Sequence, residues 1–174
     1  MVRRRFGWWL LVAMLAAGCS TSDADQRPGG DQTDVWFAQH MVPHLLQTSA
    51  ILDLADDQLT RPKLARLAGT INRQSRADLQ QLQGWLEGRG LAAHDPQQDP
   101  DHRKETDLSR LSRTHGVGFD RVFLKVMLAR HRTALRMAAV EARDGAIPEL
   151  RTLARQMTTE LQAQLEQLTA LLGA

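Results

Sequence analysis

The side chains able to do chemistry in this chain are few, and they fall in two short segments. His40, Met41 and His44 lie together in the first, and Met127, His131 and Met137 lie in the second. His40 and His44 are four positions apart, so on a helix their imidazoles share a face, and Met41 sits three positions before His44. A neutral imidazole and a thioether are donors that suit Cu(I), and imidazole also accepts Cu(II). If the two segments are neighbours in space, the six residues form a thiol-free Met and His site, and copper is the cofactor they suggest. The same residues have a plainer reading. Met41, Met127, Met137 and Met157 fall at core-facing positions, where Met commonly fills gaps. His40 reads as a solvated residue, and His44 fits a buried, hydrogen-bonded imidazole as well as it fits a ligand.

Arg130 stands directly before His131, at the inward position that His44 occupies in the first segment. A guanidinium is no copper ligand, and on an inward stripe it needs a carboxylate or a path to water. Asp34, Asp78, Asp120 and Glu160 are the candidate partners, and pairing with one of them would make a structural polar cluster at the centre. Pro43 removes a backbone donor inside its segment, which predicts either a kink or a free carbonyl at Gln39.

Motifs of other chemistries are missing. There is no Glu-x-x-His pair of the di-iron bundles, no Gly-rich phosphate loop, no His-Glu-x-x-His and no Gly-x-Ser-x-Gly. The expectation is a protein that is not an enzyme. Its single cysteine, Cys19, leaves the rest of the chain without disulfides, thiolate metal sites or a Cys nucleophile.

Cys19 has a different setting. Arg3, Arg4 and Arg5 precede an apolar run from Phe6 to Ala17, which closes on Ala16-Ala17-Gly18-Cys19. Positive charge, a short apolar stretch and small residues make an export signal, and the stretch is too short to span a bilayer comfortably. The small residues before Cys19 resemble the lipobox of bacterial lipoproteins, which implies an acylated Cys19 and a chain held at a membrane by lipid, on its extracytoplasmic side. Arg3-Arg4-Arg5-Phe6 also resembles a twin-arginine export motif, a match that three consecutive arginines make cheap. Removing those three from the 22 Lys and Arg leaves 19 against 20 Asp and Glu, a net of −1. No basic patch is concentrated anywhere, so nucleic acid is not an expected partner, and no protein partner is indicated.

These residues must be positioned by helices. Asp34, Phe37 and Met41 recur as Asp120, Phe123 and Met127, each pair 86 positions apart, and the same offset links Pro62 with Pro148, Leu67 with Leu153 and Leu82 with Leu168. Phe37, Met41, His44, Thr48, Ile51 and Ala55 form one helical face, with Asp34 placed to cap or charge the helix start. Leu64, Leu67, Ile71, Asp78/Leu79, Leu82 and Leu86 form the next face, opened by Pro62 and stopped at Gly88-Arg89-Gly90. The second half repeats this from Phe119 to Arg143 and from Pro148 to Leu172, and the polar stretch between the halves adds a short helix within Lys104–Thr114. The expected organisation is a leader over 1–18, a lipidated tether over 19–33 and a bundle over 34–174. Within the bundle, repeats 34–89 and 120–174 flank a crossover at 90–119. The fold class is all-α, a four-helix bundle of two repeated hairpins with one long crossover.

Gly118-Phe119-Asp120-x-x-Phe123-Leu124-x-x-Met127-x-x-Arg130-His131-x-x-Ala134-Leu135-x-Met137-Ala138 resembles the repeat of a bacterial family known as domain of unknown function 305. Asp34, Phe37, Met41 and His44 repeat the pattern in the first half, and Gln74, Asp78-Leu79, Leu82 and Trp85-Leu86 match its second helix. The resemblance implies a ferritin-like bundle exported to the cell envelope, in a family where some members are linked to copper through Met and His. The family's His-His pair is half lost in each repeat, because Leu45 follows His44 and Arg130 precedes His131. Two readings follow: a membrane-anchored lipoprotein that binds or buffers copper outside the cytoplasm, or a non-enzymatic envelope structural or interaction protein with a degenerate metal site.

Overall fold

The computed structural model describes residues 30–95 and 107–173. The leader, Cys19 and residues 20–29 lie outside the described residues. The helices are α1 (Gly30–Ala55), α2 (Pro62–Glu87), the short α3 (Asp107–Ser112), α4 (Val117–Asp144) and α5 (Pro148–Gly173), and no strand occurs among the described residues. No described helix is long and apolar enough to cross a membrane. Helix α1 starts at Gly30, so the end of the stretch expected to be tether is helical instead. Helix α1 pairs with α2, α4 with α5, and α1 meets α4 across the centre, whereas α2 and α5 touch far less. The result is a four-helix bundle that is tight on one side and grooved on the other.

The ends of the helices follow from local chemistry. Pro62 and Pro148 open α2 and α5, where the missing N–H is no loss. Gly90 adopts a left-handed φ of 64°, which lets the Leu91 N–H reach the Leu86 carbonyl and the Gly90 N–H reach that of Glu87, both at 3.0 Å. Leu91 then packs beside Leu86 in the core.

Asp34 and Asp120 do not sit where the sequence suggested. Because α1 begins four residues before it, Asp34 is no cap of its own helix. It lies fully buried and accepts the Ala146 and Ile147 N–H groups at 2.9 and 3.0 Å, ahead of α5. Asp120 accepts the Thr60 and Arg61 N–H groups at 3.0 and 3.2 Å, ahead of α2. Residues 60 and 61 are 86 positions before 146 and 147. Each repeat's aspartate therefore caps the second helix of the other repeat, and this exchange binds the two hairpins to one another.

Pro43 stays inside α1. Its missing N–H leaves the Gln39 carbonyl free, and the His94 N–H takes it at 2.9 Å. The Gln39 side chain also donates to the Ala92 carbonyl at 2.8 Å, so the start of the crossover is clipped to α1.

The core is divided. One apolar cluster gathers Ile51, Leu64, Ile71, Phe119, Phe123, Met127 and Leu168 toward one end. The other gathers Phe37, Met41, Leu82, Leu86, Ala138, Leu153 and Met157 toward the opposite end. Between them runs a belt of polar side chains drawn from the middle of each long helix.

Candidate metal centre

The belt contains two of the six candidate ligands. His44, from α1, and His131, from α4, both lie there, near enough for His131 to bear on the protonation of His44. His131 is buried, with Nδ1 at 2.9 Å from the Met127 carbonyl oxygen and Nε2 at 2.8 Å from the Gln164 side-chain amide. The carbonyl can only accept, so Nδ1 carries the proton of a neutral ring, and the Gln164 amide turns its NH₂ toward the Nε2 lone pair. Burial holds this imidazole below the ordinary histidine value, in keeping with a neutral ring. Burial, then the Arg130 and His131 charges, pushes His44 down to about 3. Both rings are neutral at physiological pH. The His44 ring makes no hydrogen bond among the described residues.

Arg130 does not pair with any of the four carboxylates expected. Its guanidinium donates to the His44 carbonyl at 2.6 Å, to Thr48 Oγ1 at 2.9 Å and to Gln47 at 3.4 Å. Its one ionic partner among the described residues is Asp107 of α3, at 3.9 Å. Burial lowers its value to about 10, which leaves it charged at neutral pH. The expected polar cluster around Arg130 is thus corrected: Asp34 and Asp120 are caps at opposite ends, while Asp78 and Glu160 face each other across α2 and α5. The reason is reach. Thr48 and the α1 carbonyls lie beside Arg130, and the short helix α3 supplies a carboxylate from the crossover.

The remaining candidate ligands are also placed differently from the expectation. His40 does not join His44. It stacks between Trp36, with centroids 4.4 Å apart, and His94, at 4.7 Å, while its Nδ1 donates to the Trp36 carbonyl at 2.7 Å. Residues four apart need not converge when one of them lies on the outer edge of the face. Met41 and Met127 are fully buried, but in different apolar clusters, and Met137 packs at the margin of the Met41 cluster. Among the described residues no three His, Cys, Asp or Glu gather as a metal-ion cage. The geometry supplies two neutral imidazoles, with the methionines in packing roles.

Two groups invisible to the sequence argument matter here. Gln164 also meets the Gln74 side-chain amide, which extends the belt from α5 to α2. Glu141, fully buried at 0 % exposure, accepts no hydrogen bond among the described residues. Burial and the neighbouring Asp34 carboxylate push Glu141 up to about 8, so at neutral pH it is protonated and donates to Asp34. The repeat register held a signal for both. Glu141 corresponds to the buried Ala55, and Gln164 to the acidic Asp78.

Solved structures share this architecture. A DUF305 fragment from Deinococcus radiodurans is 23% identical and superposes with a TM-score of 0.72, covering 81% of this chain and 95% of that one. A DUF305 protein from Streptomyces coelicolor gives 0.73 at 21% identity, covering 83% and 94%. CopM in its Cu(I)-bound form gives 0.67 at 22% identity, covering 79% and 93%. No curated protein matches the chain. The model of the family described as domain of unknown function (DUF305) matches residues 34–172, and the chain belongs to that family.

Proposed function

We propose that this chain is an exported, lipid-tethered, non-enzymatic bundle that binds copper outside the cytoplasm through His44 and His131. The observation that carries the reading is that the polar belt holds two neutral imidazoles, one from each repeat. His131 has its Nδ1–H fixed on a backbone carbonyl, which aims the Nε2 lone pair, as backbone carbonyls hydrogen-bonded to metal-ligating histidines do. To bind, copper displaces the Gln164 amide, at a cost of about 1 kcal/mol for one hydrogen bond. The fixed charge of Arg130 opposes any cation there, and it opposes Cu(II) more than Cu(I). The site suits weak capture of Cu(I), consistent with buffering. CopM, a structural neighbour, has been obtained with Cu(I) and with Cu(II) bound.

The test is a chelator-competed Cu(I) titration of the lipid-anchored protein. His44→Ala and His131→Ala weaken binding, while Met41→Leu leaves it unchanged. Equal affinity in all four proteins removes the reading. Anchoring is checked separately, by incorporation of labelled fatty acid that Cys19→Ala abolishes. One observation favours the alternative of a structural protein with a degenerate site, namely that Arg130 already fills part of the centre and bonds to α1. In that case no variant changes copper affinity, and Arg130→Ala acts only on stability.

A further inference from the structure

On the far side of the belt from Arg130, α2 and α5 enclose a second arrangement of donors. Asp78 and Glu160 face each other there, with Gln74, Ser75 and Gln164 beside them around a cavity of about 20 Å³. That volume accommodates one water-sized occupant. The donors come as two i, i+4 pairs, Gln74/Asp78 and Glu160/Gln164, and the pairs are related by the 86-residue repeat with acid and amide exchanged. Each repeat therefore contributes one carboxylate and one amide to the same point between the helices.

Three features distinguish this place from an ordinary acidic patch. Asp78, 8 % exposed, lines the cavity and has neither a hydrogen bond nor an ion pair among the described residues. Ser75, also 8 % exposed, lines it and likewise has no partner there. Glu160 accepts one bond at Oε1, from Gln156 at 3.1 Å, and has no ion-pair partner among the described residues. Asp78 and Ser75 are thus two unpartnered polar side chains, each more than nine-tenths buried, that line one void, and an oxygen-seeking occupant there would satisfy both. Access exists: the groove of about 580 Å³ between α2 and α5 has Gln74, Glu160 and Gln164 among its lining residues, and the inner cavity shares all three.

We infer that Asp78 and Glu160, with the Ser75 hydroxyl beside them, form a site for one small divalent cation of the oxygen-preferring class. Carboxylate and hydroxyl oxygens are donors for Mn²⁺, Mg²⁺ or Ca²⁺, with water completing the shell, in contrast to the imidazoles on the other side of the belt. A bound cation offsets the repulsion between the two acids and joins α2 to α5, where the bundle is otherwise loosely closed. The inference does not depend on copper binding at His44 and His131.

The experiment uses the full chain and Mn²⁺ as the probe, following the loss of the free-ion EPR signal at about pH 8, above the value of about 7 to which burial and Glu160 raise Asp78. One Mn²⁺ is expected per chain, with affinity lowered at least about tenfold in both Asp78→Asn and Glu160→Gln and unchanged in His44→Ala. Mn²⁺ also raises the thermal midpoint of the unmodified chain, a readout that requires no variant to fold. No retained Mn²⁺ at millimolar concentration together with no thermal shift, or equal binding in the two carboxylate variants, overturns the site.

Discussion

Replacing Glu141 with Gln should remove much of the fall in stability that this protein shows as pH rises. In the native state Glu141 is fully buried against Asp34, and its carboxyl is raised from 4.5 to about 8. Between those values the folded chain holds a proton that the unfolded chain has released. Stability from this group is intact below about pH 4.5 and drains away as pH climbs through 8. At about 1.4 kcal/mol per pH unit, the loss between pH 5 and pH 8 approaches about 3 kcal/mol, a large part of a small domain's total. A glutamine keeps a donor for Asp34 but does not titrate. The assay is urea denaturation followed by circular dichroism across that range. Asp78, raised to about 7 by burial and by Glu160, adds a decline of the same sign, so Asp78→Asn and the double variant separate the two shares. The reasoning fails if Glu141→Gln declines with pH as steeply as the unmodified protein does.

Four further predictions follow from the same geometry. Asp120→Ala strips the acceptor from two backbone N–H groups and from the Thr60 hydroxyl, and should cost about 2 kcal/mol in denaturation. Asp34→Ala should cost a comparable amount and also release Glu141 to titrate nearer its ordinary value, visible as a lowered carboxyl pKa by NMR. Pro43→Ala restores an N–H to compete for the Gln39 carbonyl, so amide exchange at His94 should accelerate while α1 stays helical. Gly145→Ala places a Cβ against the Glu141 carboxyl and carbonyl oxygens, with backbone among the obstacles, and a drop of about 1–3 kcal/mol is expected.

The architecture was legible because apolar spacing and the 86-residue register both encode it. Leu64, Leu67, Ile71, Leu82 and Leu86 keep one face of α2 dry, and Pro62 and Pro148 mark where the chain restarts. The free carbonyl of Gln39 was also predictable, since it depends only on the absent N–H of Pro43. The centre was less legible. Helical spacing states which residues share a face but not how a long side chain leaves it, so His40 could turn outward to Trp36 and His94. Partners from another element are hidden as well: Asp107 reaches Arg130 from the crossover, and the two capping aspartates act across hairpins. The repeat alignment did hold one unused clue. Glu141 replaces Ala55, and the acid and amide of Gln74/Asp78 reappear exchanged in Glu160/Gln164, marking positions where the duplicated frame carries a polar group it could have done without.

Arg130 links the two sides of the functional account, because its charge is the main obstacle to copper beside His44. Arg130→Gln keeps hydrogen bonding to α1 while removing that charge, and should tighten Cu(II) binding by about tenfold or more, with a smaller gain for Cu(I). The most direct measurement is X-ray absorption spectroscopy of the Cu(I)-loaded chain. Two imidazole nitrogens around the metal, lost when His44 or His131 is replaced, is the predicted result. Sulfur neighbours at the metal would contradict it, because they would require Met41, Met127 or Met137 to leave the apolar positions in which they are packed.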